Sequence, residues 1–222
     1  MMKLELKIGN KRMYKIKDLP EFYTRMINNE YFKYGEKLEF VHNRENFADE
    51  AKPLLDFILR YAEIMKYSNS SDRYGYYYSS SINKAEITLG EGIIDEIYDL
   101  LKDKKVNFVY DYTNCKLEFI EQNPGIEFEL TKINEDELLL KPNVDVFKLA
   151  IFNGHKYDYL LIENRFYRCD KEFSDSNLKI IKAFRENYTS EMLLRKKDLK
   201  DFYSIIMPKI ENNVKVEGLD EE

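Results

Sequence analysis

"IEFELTKINEDELLL", residues 126–140, decides how the second half of this sequence folds. Apolar residues alternate with polar ones from Ile126 to Leu130, residues 133–136 are of turn-forming types, and the apolar positions resume at Leu138. A period of two is typical of a strand with one buried face. The stretch therefore predicts two antiparallel strands joined by a short acidic turn.

The same alternation extends over residues 106–161 and predicts an antiparallel meander. The other predicted strands are Phe108-Tyr110-Tyr112, Leu117-Phe119, Leu149-Ile151 and Tyr157-Tyr159-Leu161. Asn153-Gly154 predicts a type I′ hairpin, because both residue types tolerate positive φ. Apolar residues at helical spacing then predict two closing helices. They are Leu178, Ile181 and Phe184 in the first, and Leu199, Phe202, Tyr203 and Ile206 in the second.

Residues 1–105 instead alternate strands with helices. The predicted strands are Leu4 to Ile8, a stretch with Tyr14 and Ile16, Tyr34 to Phe40, and Ala85 to Leu89. The predicted helices follow a cap at Asp18, start near Asp49, and follow a turn at Gly90 and Gly92. Leu19, Phe22, Tyr23, Met26 and Ile27 form the apolar stripe of the first helix. We therefore expect an α+β fold with halves 1–105 and 106–222, which are two domains or one continuous domain in a fragment of a larger protein.

Composition indicates a globular protein without a membrane segment. The chain has 222 residues, 44% apolar and 34% charged, with a formal net charge of −6. No apolar run approaches the roughly 20 residues of a membrane span. We expect a cytoplasmic protein, with association with the nucleoid left open. A negative chain makes any DNA binding local and weak, since proteins that depend on phosphate contacts are usually basic.

Signatures of catalysis are missing from the sequence. It contains no G-x-x-x-x-G-K-[ST], H-E-x-x-H or C-x-x-C pattern, so we expect neither an ATPase site, nor a metal site, nor a cofactor in this chain. His42 and His155 lie in loop-like stretches, where a polar residue is ordinary. A small hydrolase that uses Cys169 with His155 is the least favoured of the hypotheses, because nothing supplies an orienting third residue.

Two segments are candidate contact sites. Arg195, Lys196, Lys197 and Lys200 open the last predicted helix. Cations at a helix N-terminus are unfavourable unless an anion compensates, so these four are candidate contacts to nucleic acid or to an acidic neighbouring domain. The second segment, "YSNSSDRYGYYYSSS" (67–81), predicts a surface loop that docks on a neighbour. Its candidate residues are Arg73, Tyr74, Tyr76, Tyr77 and Tyr78.

Five segments resemble the bacterial Swi/Snf helicase-associated domain. They are "LELKIGNKRMYKIKDLPEFYTRMINNE" (4–30), "YGEKLEF" (34–40), "FADEAKPLLDFILRYAEI" (47–64), "DYLLIENRFYRC" (158–169) and "DFYSIIMPKI" (201–210). The resemblance implies a parent protein with a zinc-binding SWIM segment upstream and a DNA-dependent ATPase motor downstream, and a domain that continues beyond Glu222. It implies no catalytic residue in this chain, because the resembling motifs are structural.

The first hypothesis is therefore a non-catalytic accessory or regulatory domain of a Swi/Snf-type helicase. It would position the motor or help guide DNA, with the ATPase lobes of the same polypeptide as its partner. ATP and magnesium would be bound by those lobes, and the parent would be the ATP-dependent helicase. The alternative is a stand-alone protein-interaction module that binds no DNA.

Overall fold

The computed structural model describes residues 3–9, 11–68, 83–110 and 113–217. The chain divides into two compact units, residues 1–90 and 91–222. The helix that begins at Glu91 belongs to the second unit, whereas the sequence pattern placed it in the first half. Both helices and strands are well represented, which confirms the α+β class. No helix of the described ranges combines the length and apolar character that crossing a membrane requires.

The described part of the first unit contains six short strands and two helices. They are β1 (Lys3–Glu5), β2 (Lys7–Ile8), β3 (Tyr14–Lys15), α1 (Leu19–Asn28), β4 (Tyr31–Gly35), β5 (Leu38–Val41), α2 (Lys52–Ser68) and β6 (Glu86–Thr88). The strands pair antiparallel as β1–β6, β2–β3 and β4–β5. Two 3-10 turns, Arg44–Asn46 and Asp49–Ala51, lead into α2.

The first helix begins where the sequence predicted. The Asp18 carboxylate accepts a hydrogen bond of 2.8 Å from the backbone N–H of Glu21, which satisfies one of the free donors of the first turn. Leu19, Phe22 and Met26 are buried. Ile27, which we predicted on the same stripe, is 61% exposed, and that assignment was wrong. It directly follows Met26 and therefore points about 100° away from the buried face.

A second correction concerns the predicted strand from Tyr34 to Phe40. It is a hairpin, because the chain turns at residues 36–37 between β4 and β5. The sequence pattern missed this turn because its tip has the charged residues Glu36 and Lys37 instead of the glycine or asparagine that is usual in a two-residue hairpin turn.

The second unit begins with α3 (Glu91–Leu101), so Gly92 lies inside a helix and the turn predicted at that residue was wrong. The strands that follow are β7 (Val106–Tyr110), β8 (Thr113–Ile120), β9 (Phe128–Asn134), β10 (Glu137–Pro142), β11 (Ala150–Asn153), β12 (Asp158–Ile162) and β13 (Arg165–Cys169). The remaining elements are α4 (Lys171–Asp175), α5 (Asn177–Glu186), β14 (Met192–Arg195), α6 (Lys196–Asp201), a π-helical turn (Phe202–Ile206), α7 (Met207–Ile210), a 3-10 turn (Glu211–Asn213) and β15 (Val214–Glu217).

These strands form two sheets, in the orders β11-β12-β13-β8-β7 and β14-β10-β9-β15. Two pairings are parallel, β8 with β13 and β9 with β15, so the purely antiparallel meander we expected was wrong in this respect. After β8 the chain forms the β9–β10 hairpin in the other sheet. It then comes back to the sheet of β8, where β13 pairs with β8. A return of this kind can place the second strand in the same direction as the first.

One continuous core holds the second unit together. Leu178, Ile181 and Phe184 of α5 are fully buried, at the spacing the sequence predicted. They belong to a cluster with residues from both sheets and from the C-terminal helical segment, among them Phe128, Leu140, Leu160, Phe202 and Ile210. Of the predicted positions on the last helix, Tyr203 is 49% exposed instead of buried.

Candidate interaction surfaces

The candidate nucleic-acid segment, residues 195–200, lies at the junction of β14 and α6. Arg195 is the last residue of β14, and α6 starts at Lys196. The Asp198 carboxylate accepts a hydrogen bond of 3.2 Å from the Arg195 backbone N–H. An acidic first-turn residue thus offsets part of the unfavourable charge of the neighbouring lysines.

The acidic turn at residues 135–137 approaches the same segment. Lys196 Nζ lies 2.8 Å from Asp136 Oδ1, and this hydrogen bond raises the pKa of Lys196. Arg195 stands opposite Glu137 in the β10–β14 pairing. Lys197 and Lys200 are exposed and have no ion pair with any described residue. Part of the segment's positive charge is therefore already matched inside the chain.

The predicted tyrosine-rich docking loop falls outside the described residues. Arg73, Tyr74, Tyr76, Tyr77 and Tyr78 all belong to residues 69–82, for which the structure offers no description. Only the start of the quoted stretch is described, where Tyr67 is 57% exposed on the last turn of α2.

His155 lies in a turn held by the carboxylate of Asp95, a residue that no sequence pattern singled out. Asp95 Oδ2 accepts hydrogen bonds from the backbone N–H groups of His155 (2.7 Å) and Lys156 (3.0 Å). Asp95 Oδ1 accepts one of 2.7 Å from the Tyr159 hydroxyl. Burial acts to raise the pKa of Asp95, but these donors together lower it.

The Asp95 contacts also explain why the type I′ hairpin predicted at Asn153-Gly154 was wrong. β11 and β12 are joined by a four-residue loop in which Gly154 N–H donates to Tyr157 C=O at 2.8 Å. The φ of Gly154 is not positive. A tertiary contact to α3 thus overrides the local turn preference of the Asn-Gly pair.

Arg168 is another largely buried charged side chain of the second unit, with an exposed side-chain fraction of 18%. Its guanidinium lies 4.9 Å from the ring centroids of both Tyr98 and Tyr157. Its Nη1 donates to Asp99 at 2.8 Å, and its Nη2 donates to Glu121. The Tyr98 hydroxyl is buried without a partner among the described residues, and burial raises its pKa to about 12. This arrangement stabilises the packing of α3 on the sheet.

The cysteine and histidine chemistry considered above is not supported by the site geometry. Cys169 is fully buried, and burial raises the pKa of its thiol to about 12. A thiol with that pKa is a poor nucleophile at neutral pH, since the thiolate is the reactive form. Within residues 3–9, 11–68, 83–110 and 113–217, no group of three or more His, Cys, Asp or Glu side chains is arranged to hold a metal ion.

His42 is also buried, inside an aromatic cage of the first unit. Its Nδ1 donates to the Glu30 carbonyl at 2.9 Å, and its Nε2 accepts from the Tyr34 hydroxyl at 2.7 Å. The ring stacks on Phe40 at 4.5 Å between centroids. Desolvation lowers the pKa of His42, so the side chain is a neutral core residue.

Among the described residues, each unit has a concave surface. The first unit carries a groove of about 530 Å³ with mostly apolar walls from β2, β5, α1, α2 and the 3-10 turns, and from Met13 and Ile16 on either side of β3. The second unit carries a cleft of about 870 Å³ whose lining includes Cys115, Lys148 and Glu163. Asp145 and Asn164 also line the cleft, so most of its lining residues are polar, whereas those of the groove are mostly apolar.

The sequence model of one family, described as bacterial SNF2 helicase associated, matches residues 86–221. The match takes in β6 and the described second unit, including the "DYLLIENRFYRC" and "DFYSIIMPKI" segments. The three N-terminal segments that also suggested the resemblance lie outside it. No curated protein and no solved structure matches the chain significantly. Because the match covers more than half of the sequence, the chain belongs to the bacterial SNF2 helicase-associated family.

Proposed function

We propose that this chain is a non-catalytic accessory domain of an SNF2-type, DNA-dependent ATPase, which positions or regulates the motor. The observation that carries the proposal is the family match over residues 86–221. The full burial of Cys169, the nucleophile of the hydrolase hypothesis, agrees with a role other than catalysis. ATP and magnesium would be bound by ATPase lobes of the same polypeptide, a cytoplasmic motor that works on the nucleoid.

Guidance of DNA is the finer part of this proposal. It rests on Lys197 and Lys200, because Lys196 is engaged by Asp136. Two exposed ammonium groups on a chain of net charge −6 give a weak, salt-sensitive phosphate contact. A second candidate, a protein-interaction module without DNA binding, is favoured by this partial neutralisation.

The accessory role is tested on the native protein. An antibody raised against this chain is used to blot source-cell lysate and to immunoprecipitate the antigen for an ATPase assay. We expect a band several times larger than 26.7 kDa, with ATP hydrolysis that DNA stimulates. A band of chain size without ATPase activity would sink the helicase assignment and favour the interaction module.

The DNA contact is tested separately on the purified chain. Fluorescence anisotropy with labelled duplex DNA, at low and at high salt, compares the wild type with Lys197→Ala/Lys200→Ala. The control is Lys132→Ala/Lys148→Ala, which removes two other exposed lysines of the second unit. Loss of binding in the first variant alone supports the contact. Equal loss in both, or no binding at low salt, contradicts it.

A further inference from the structure

The groove of the first unit has a buried apolar floor and a partly exposed apolar mouth. Leu6, Ile16 and Phe22 form part of the floor and are at most 6% exposed. Met13 stands at the mouth and is 52% exposed, and half-buried Leu38 also lines the groove. Covering apolar side chains at a concave surface with another apolar group removes them from water, which lowers the free energy.

The β2–β3 hairpin that forms one wall of the groove is unusually basic. Lys7 and Lys15 stand directly opposite each other in the antiparallel pairing. Like charges in this position are destabilising. Lys15 is compensated by Glu5, at 2.5 Å, whereas Lys7 lines the groove and has no carboxylate partner among the described residues.

Arg12 adds a further cation to the same hairpin. Its guanidinium lies 5.6 Å from the ring centroid of Tyr14 and makes no ion pair with any residue that the structure describes. On the opposite wall, at the 3-10 turns before α2, Glu45 and Asp49 are both engaged by Lys52, at 3.1 and 2.7 Å. Two carboxylates on one lysine leave a negative excess on that side, so the positive charge that has no partner among the described residues lies on the β2–β3 hairpin, at Lys7 and Arg12.

We propose that this groove docks a short acidic segment of a partner protein, with bulky apolar side chains in the groove and carboxylates on Lys7 and Arg12. The apolar walls supply affinity by excluding water, and the two cations fix the orientation of the segment. The proposal goes beyond the accessory role, because the family match begins only at residue 86.

Nucleic acid suits the groove less well. A base platform needs exposed aromatic faces, but Phe40 already stacks on His42 and meets Phe47 edge to face at 5.7 Å. The mostly apolar walls also offer little to a phosphate backbone. Met13 fits a peptide-binding mouth, since an unbranched thioether side chain adapts to different apolar partners.

A random short-peptide display library provides the probe. It is panned on the full chain and counter-selected on the Met13→Glu variant. We expect the enriched peptides to combine a net negative charge with two or more bulky apolar residues. Absence of enrichment, or enriched peptides with no acidic excess, would overturn the proposal.

The strongest enriched peptide is then labelled, and its dissociation constant is measured by anisotropy. We expect an increase of about tenfold or more for both Met13→Glu and Lys7→Glu, because either change removes one of the two kinds of contact. Ile64→Glu, at an exposed apolar site of the same unit, and Lys132→Glu are the matched controls and should change it less than about twofold. Circular dichroism and the thermal midpoint verify that each variant is folded.

Three results would contradict the proposed occupant. If the Met13→Glu and Lys7→Glu variants both bind the peptide as tightly as the wild type does, the peptide binds elsewhere. Displacement of the peptide by duplex DNA, with DNA affinity lost in Lys7→Glu, assigns the hairpin to a phosphate backbone. Displacement by anionic lipid vesicles and not by a second acidic peptide assigns the groove to a lipid surface.

Discussion

Asp95 and Gly154 approach each other so closely that a Cβ at residue 154 would lie 2.4 Å from Asp95 Oδ1. The same Cβ would lie 2.6 Å from the carbonyl oxygen of Tyr157. No real Cβ contact is this short, so a side chain at residue 154 must displace either the loop or α3. The carboxylate and the glycine together define how the β11–β12 loop meets α3.

We expect Gly154→Ala to lower the free energy of unfolding by about 1–3 kcal/mol, as overpacking does. Asp95→Ala should cost about 2 kcal/mol or more, because the Tyr159 hydroxyl and two backbone N–H groups lose their acceptor. Urea denaturation measures both. Gly125→Ala is the control, since nothing lies within 4 Å of a Cβ at that position. Equal stability of the Gly154→Ala and Gly125→Ala variants would contradict the contact.

His42 should make the first unit less stable in mild acid. Its pKa is lowered in the folded state, so the unfolded chain binds more protons once the pH falls below about 6.5. Stability is unaffected above that pH and is lost as the pH falls further, with a slope of at most about 1.4 kcal/mol per pH unit for one proton. Urea denaturation at a series of pH values between neutral and mildly acidic should show a steeper loss for the wild type than for His42→Gln. The same slope in both would exclude His42 as its source.

Tyr188 occupies a backbone conformation that favours glycine. Its φ is +51°, it is 89% exposed, and it follows α5 at a position where Thr189 N–H donates to Phe184 C=O at 3.1 Å. This is the residue that is usually glycine when a helix ends in a Schellman motif. Tyr188→Gly should therefore raise the free energy of unfolding by about 0.5–1 kcal/mol, and Tyr188→Val should lower it. Thermal denaturation distinguishes the two, and a loss of stability in Tyr188→Gly would show that the exposed ring makes a contact of its own.

Neutralising Asp136 should strengthen any DNA contact of the second unit. Asp136→Asn removes the charge that engages Lys196, which is then free for a phosphate. We expect a higher affinity for duplex DNA and a salt dependence that is steeper by about one counterion. Asp103→Asn changes the net charge equally at an exposed site elsewhere. If both variants bind DNA alike, the effect comes from net charge and not from Lys196.

The two thiols should differ in reactivity. Cys169 is fully buried with a raised pKa, whereas Cys115 is only half-buried on β8. A disulfide reagent should therefore modify one thiol per folded chain, and both after unfolding in urea. Mass spectrometry of the modified peptides identifies the site. Reaction of Cys169 in the folded chain would imply that the core opens at β13.

The parts of the fold that depend on near neighbours in sequence were predictable. The Asp18 cap and the buried spacing of α5 follow from a few adjacent residues, and both are present in the structure. The acidic turn predicted within residues 126–140 also lies where expected, between β9 and β10. Each of these elements carries its own signal within one turn of helix or one hairpin.

The contacts that failed prediction join residues far apart in sequence. Asp95 holds a loop sixty residues away, and no local pattern distinguishes its carboxylate from other helix acids. The pairing of β8 with β13 depends on where the intervening hairpin packs. Similarly, the basic segment at 195–200 looked uncompensated because Asp136, its partner, lies on another hairpin. Composition near Lys196 could not reveal this neutralisation.

The parallel pairing of β9 with β15 has a consequence for biosynthesis. β9 ends at Asn134 and lies between β10 and β15 in the sheet. The second of these neighbours, β15, is complete only when Glu217 has left the ribosome. Until then the edge of β9 that later pairs with β15 has free backbone donors and acceptors, and an unpaired strand edge of this kind can pair with other chains. The four-stranded sheet is therefore completed only after β15 has emerged, and nascent chains that stall before β15 expose an edge of β9 that a chaperone can shield.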